Sequence, residues 1–251
     1  SGSLKKFSEC KEVCDPKFQY DSSNCTGGKV LAGNSCGGKY EKCIEPLQYL
    51  YSDRTLSAEI IPGKSVIGIA VDPENRLAAA IDYIMTTGWG GYGIDIPTLE
   101  NTPSSGAGIY VRGERDSYLI RDGKANTAKI LAYGRSNGIS YPAAEAAYNY
   151  QPGSCSSSSW CGRGNWYLPS NWQVFPYFDN RATIHLMLKA INKMPDDWWY
   201  TRNDFYTVTS NEINAKESGF IYINTGGMAH GGKNLTEPDN LQTLVLPYIT
   251  Y

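Results

Sequence analysis

The chain has 251 residues, 41% of them hydrophobic, enough for one large domain or a domain with a small appendage, so global disorder is excluded. Lysine and arginine total 23 against 25 acidic residues, and a net charge of −2 supplies no field for nucleic acid or an anionic membrane. No run approaches the roughly 18 apolar residues of a membrane-spanning helix, so neither nucleic acid nor direct membrane insertion is expected.

The first 45 residues stand apart. Cys10, Cys14, Cys25, Cys36 and Cys43, five of the seven cysteines, fall there among glycine, serine and asparagine. Such a segment cannot fold on a core alone and needs cross-links or metal. Only Cys10 and Cys14 approach the pairing of a zinc knuckle, and no histidine precedes His185, which favours disulfides over zinc. Phe18–Cys25 is echoed at a spacing of 11 by Lys29–Cys36, and Gly27-Gly28-Lys29 recurs as Gly37-Gly38-Lys39, as in a short cysteine-stapled β repeat. The Ser1-Gly2-Ser3 start carries no signal-peptide pattern and reads as an expression remnant, so the lack of a targeting pattern here says nothing about location.

Residues 46–251 read as the main domain. Gln48–Tyr51 predicts a strand running into a turn, and Ser65–Val71 a buried strand closed by Pro73. Arg76–Ile84 fits a strand better than a short helix because Thr86-Thr87-Gly88 follows. Gly88–Gly108 predicts a long surface loop. Asn126 or Thr127 is expected to cap a helix through Ile130 and Leu131 to Gly134, and Pro142 to start a second ending near Tyr150. Cys155 and Cys161 bracket a serine run and Trp160, a spacing that suits a local disulfide and an oxidising compartment. Ser170, followed three residues on by Gln173, fits a capping box opening a helix that reaches Met194, with a kink at Pro176 and a stop at Pro195. From Trp198 to Tyr251 the pattern is that of antiparallel strands, plainest at Phe220–Ile223 and Leu244–Leu246.

Catalytic constellations are sparse. His185 sits within the apolar helix pattern as a structural residue, and His230 lies in a glycine-rich turn without the Lys-Ser or Lys-Thr pair of a phosphate loop. Gly162-Arg163-Gly164 lacks a dinucleotide fingerprint, no nucleophile elbow occurs, and the adjacent carboxylates Asp196 and Asp197 fit a turn better than acid–base work. The sequons at Asn24 and Asn234 receive no function. No enzyme activity, cofactor or metal is expected.

Three stretches carry a likeness to a known family. Asp122–Thr127 with Tyr141-Pro142-Ala143-Ala144, then Gly164-Asn165-Trp166-Tyr167-Leu168-Pro169-Ser170, then Thr209–Asn214 with Gly219–Gly227 resemble, in order and spacing, bacterial surface domains of C-type-lectin-like fold. The likeness covers Tyr49–Tyr251 and departs at Val208, where the family usually places tryptophan, and at Val245-Leu246-Pro247, where it closes on valine-arginine-proline. It implies an α+β domain over residues 46–251 with two main helices, Pro142–Tyr150 and Ser170–Met194, and antiparallel strands elsewhere, preceded by a cysteine-stapled β module over residues 1–45. Trp166 and Leu168 should then be buried.

Such domains serve in adhesins, pilus-tip proteins, phage receptor-binding proteins and the variable proteins of diversity-generating retroelements. The resemblance therefore implies a secreted or surface-displayed protein that binds a protein or glycan ligand. A structural or minor subunit of a pilus or surface fibre, with neighbouring subunits as partners, is the alternative. Formylglycine-generating enzymes share the fold and are a lesser one, but they need a reactive cysteine pair with copper, an arrangement that Cys155 and Cys161 do not match. Glu237-Pro238-Asp239-Asn240 comes near a calcium-lectin triplet without its partner triplet, so calcium is not expected. The ligand-facing part of such domains corresponds to Asp196–Asn214, where Tyr200, Arg202, Asn203 and Tyr206 are the expected exposed binding residues.

Overall fold

The computed structural model describes residues 30–32, 42–44, 46–102, 122–193, 206–222, 228–234 and 243–251. The strands in chain order are β1 (Val30–Ala32), β2 (Lys42–Ile44), β3 (Gln48–Tyr51), β4 (Leu56–Ser57), β5 (Val66–Asp72), β6 (Leu77–Ala80) and β7 (Ile84–Thr86). Four helices follow, α1 (Gly123–Asn137), α2 (Pro142–Asn149), α3 (Asn171–Asp179) and α4 (Arg181–Ala190), and then β8 (Tyr206–Glu212), β9 (Glu217–Tyr222), β10 (Met228–Gly232), β11 (Thr243–Val245) and β12 (Tyr248–Thr250). The class is α+β.

The first five-stranded sheet, in the order β12-β6-β5-β3-β4, is antiparallel throughout. Its central strands β5 and β6 are nearly continuous apolar runs because consecutive residues, and so both faces, are buried. The two backbones approach so closely at Gly68 that a Cβ there would meet the Ala79 carbonyl oxygen at 2.7 Å. The second sheet, in the order β10-β9-β8-β11-β7, is antiparallel except where β11 runs parallel to β8. A separate antiparallel pair, β1 with β2, places Leu31 opposite Cys43, within the stretch read as a β module. The other four cysteines of that module lie outside the described residues.

Among the described residues, two large hydrophobic cores accompany the sheets, beside a small cluster of Val174, Phe175 and Ile221. One gathers Tyr51, Ile67, Ile69, Trp166, Ile184 and Leu188 on the side of the first sheet. The other gathers Trp89, Ile130, Tyr141, Leu168, Phe220 and Val245 on the side of the second. Trp166 and Leu168 are 1% and 0% exposed, as expected, and each belongs to a different core. Between them Tyr167 exchanges both backbone hydrogen bonds with Tyr248, at 2.9 Å each, so this short extended piece stitches the halves together.

Helix starts follow the expected chemistry more closely than helix ends. Ser170 and Gln173 form the capping box, and Pro142 occupies the first turn of α2. The helix after it begins as predicted and then divides, because Asn180 places its side-chain amide on the Pro176 carbonyl at 2.8 Å and competes with the helical ladder. Helix α4 stops at Ala190 rather than Met194. Asn192 takes a left-handed φ of 56°, and the amides of Asn192 and Lys193 close on Lys189 and Leu188 in a Schellman motif, so asparagine ends this helix before Pro195 is reached. The cap of α1 is Asp122, whose carboxylate accepts from Ala125, and not Asn126 or Thr127, which are buried in the helix.

Candidate functional site

Over its described part the Gly88–Gly108 stretch is irregular and exposes Tyr92, Asp95 and Asn101, as expected of a surface loop, but it is anchored by buried residues. Residues 87–102 have neither helix nor strand, yet Trp89, Ile96 and Leu99 are buried, and Thr102 is buried with them. The segment is held by the backbone and side chains of β8 and of the turn after β10. Amides of Trp89 and Gly90 donate to the Lys233 carbonyl at 3.0 Å each, that of Gly93 to Ala215 at 2.8 Å, and that of Thr102 to Glu212 at 2.7 Å. The Trp89 indole N–H donates to the Thr209 carbonyl at 2.8 Å.

At the centre is an ion pair. Lys233 Nζ contacts Glu212 Oε1 with both side chains fully buried, and it also donates to the Ile94 carbonyl at 2.6 Å while standing 4.9 Å from the Trp89 ring centroid. Glu212 Oε2 accepts from the Ile96 amide at 3.1 Å. Burial pushes the Glu212 carboxyl up and the Lys233 ammonium down, and each partner opposes the shift of the other. The added hydrogen bonds from the irregular segment supply the polar partners that a buried pair requires.

A neutral polar seam continues from this pair toward the helix starts. Asn211 accepts from the Asn171 amide at 2.7 Å and donates to Thr102 Oγ1 at 2.8 Å, while Asn126 reaches Ser210 Oγ at 3.2 Å. Gln173 Oε1 accepts from both Ser170 and Gly123 amides, at 2.9 and 3.1 Å, so one side chain ties together the N-termini of α1 and α3. The Ser210 amide donates to the Pro169 carbonyl at 2.8 Å.

Of the four expected binding residues, Tyr200, Arg202 and Asn203 lie outside the described residues. Tyr206 is only 5% exposed, which corrects the expectation that it lies open to solvent. It opens β8 opposite Tyr222, with its ring 4.7 Å from Phe220 and 6.3 Å from Tyr222, because strand pairing turns it into the second core. The register places the starts of β8, β10 and β11 and the ends of β7 and β9 at one end of the second sheet. His230 is paired with Glu217 at 3.1 Å, and His185 lies half-buried on α4. Asp196, Asp197 and Glu237–Asn240 lie outside the described residues, among which no cluster of metal-ligating side chains occurs.

Cys155 and Cys161 form the expected disulfide, and both are buried. Inside its loop the Trp160 indole donates to Ser52 at 2.8 Å and faces the Arg54 guanidinium at 4.9 Å. Sequence reasoning missed Lys233, which follows Gly231-Gly232 with no apolar periodicity to mark it as buried. It also gave no role to Glu212, which ends a strand with every residue buried.

No protein-family model and no curated protein matches the chain. Its fold is similar to that of a fimbrial protein from Bacteroides ovatus, at a TM-score of 0.49 and 14% identity over 81% of this chain. The match spans about half, 48%, of that protein's length.

Proposed function

We propose that this chain is a non-enzymatic binding domain of C-type-lectin-like build, secreted or displayed at a cell surface, that takes a protein or glycan ligand. One observation carries the reading: the three stretches that resemble the family converge on the buried polar seam. Asn126 bonds Ser210, the Pro169 carbonyl accepts from Ser210, and Asn171, next to the signature serine, bonds Asn211. This is a rigid scaffold of the kind that carries binding loops. Tyr200, Arg202 and Asn203 fall in the chain that arrives at Tyr206, at the sheet end where five strand ends meet. Buried Tyr206 supports that end and is not an anchor. The disulfide fits an extracytoplasmic location.

Probing arrays of immobilised glycans and surface proteins with the full chain tests the reading. Once a ligand is found, alanine at Tyr200 and at Arg202 should each weaken binding by about 1–2 kcal/mol. Unchanged affinity in a folded variant would remove those residues from the site.

A fibre subunit is the second reading. Its support is edge strand β7, which has no strand on its outer side among the described residues and leaves Met85 58% exposed. Concentration-dependent assembly on size exclusion without array binding would favour it.

A further inference from the structure

The irregular segment presents one side chain outward at a place where everything beneath it is fixed. Gly91–Ile94 is a tight turn, closed by the Ile94 amide on the Gly91 carbonyl at 3.1 Å, with Gly93 at φ 84° in the third position. That geometry puts Tyr92 at the corner, where the residue is 50% exposed. Both sides of the turn are pinned. Gly93 is bonded to Ala215, and the Ile94 carbonyl and Ile96 amide are held by Lys233 and Glu212. Below, a Cβ on Gly91 would collide with the Tyr141 ring, so the turn packs directly against that ring. Above, a Cβ on Gly93 would meet nothing within 4 Å. The Tyr141 hydroxyl beneath the turn is buried and has no hydrogen-bond partner among the described residues, an orphan polar group at the floor. Beyond Tyr92, Asp95 Oδ1 accepts from Asn101 Nδ2 at 2.9 Å, and both residues are exposed.

We infer that the Tyr92 turn is a glycan-contact site, in which a sugar ring packs on the Tyr92 face while its hydroxyls engage the Asp95–Asn101 carboxylate–amide pair. The chemistry selects this class. An aromatic platform with two torsions, on a backbone pinned by hydrogen bonds, offers apolar contact at small entropic cost. The open side of Gly93 leaves room for a ring to lie along the turn. The neighbouring acceptor and donor match vicinal hydroxyls, each of which gives and takes one hydrogen bond. This inference rests on the reading of the chain as a binding protein and adds to it a second contact surface, apart from Tyr200, Arg202 and Asn203.

The test is a panel of immobilised neutral and N-acetylated oligosaccharides probed with the full chain, Tyr92→Ala, Tyr92→Phe, Asp95→Asn and Tyr200→Ala, with thermal melting confirming each fold. The expected result is binding by the parent chain, weakened about tenfold or more by Tyr92→Ala, largely retained by Tyr92→Phe, and weakened by Asp95→Asn. No binding to any oligosaccharide, or binding indifferent to Tyr92→Ala, overturns the inference. Oligosaccharide binding lost only in Tyr200→Ala also overturns it while upholding the broader reading. A protein ligand captured on a separate protein array, with no glycan bound, does the same.

Discussion

Around the first sheet the interior is hydrocarbon and aromatic ring, with β5 and β6 supplying Val66–Val71 and Leu77–Ala80 to a core closed by Trp166, Ile184 and Leu188. Around the second sheet, β8 buries Thr207, Thr209, Ser210, Asn211 and Glu212 along one strand, and Lys233 joins them. The first half keeps its shape by area removed from water, which is tolerant of direction. The second keeps an irregular segment in place by donors and acceptors whose geometry must be met one by one. A chain that must present a surface outside regular secondary structure gains from the second kind of interior, because hydrogen bonds fix positions that apolar contact leaves free.

The largest effect that would sharpen this contrast is alkaline unfolding. Burial raises Tyr167 and Tyr141 to about 12 and pushes Tyr83 and Tyr248 well above the ordinary value near 10. A raised folded value means that the associated stability is complete below about pH 10 and drains as pH rises toward 12. Most of these rings belong to the first half or pack against it. Phenolate absorbance should therefore appear together with loss of circular dichroism in that window. Smooth titration of all tyrosines near pH 10 in a folded chain would break the account.

Next in size, Lys233→Ala or Glu212→Ala should cost about 3–5 kcal/mol in urea unfolding, since each leaves a buried charge uncompensated, and Glu212→Leu with Lys233→Met should recover much of that. In the first half Trp166→Ala should cost a similar 3–5 kcal/mol through a cavity that no polar exchange can repair. Equal additivity in both halves would erase the distinction. Replacing Cys155 and Cys161 together by serine should cost about 2 kcal/mol, given the short loop they close. Ser170→Ala should cost about 1 kcal/mol by opening the capping box.

The same division governs what could be read in advance. The apolar run of β5, the capping box at Ser170 and the burial of Trp166 and Leu168 are local or pattern signals, and they appear where expected. The break at Asn180 and the stop at Asn192 depend on which carbonyl an asparagine finds, a choice made within a turn and invisible to periodicity. The buried state of Lys233 and of the Trp89 segment depends on partners 21 and 120 positions away, so no local pattern announces it. Tyr206 looked like surface because its neighbours in sequence are polar and aromatic, whereas its neighbours in space are Phe220 and Tyr222.

Native-state hydrogen exchange of the Trp89, Gly90, Gly93, Ile96 and Thr102 amides tests the central claim, that an irregular segment is held as a rigid surface by a buried ion pair, most directly. In the parent chain these amides should be protected nearly as strongly as those of β8, and in Lys233→Met they should exchange orders of magnitude faster while β5 remains protected. Fast exchange of the five amides in the parent chain, beside a protected β8, would contradict it.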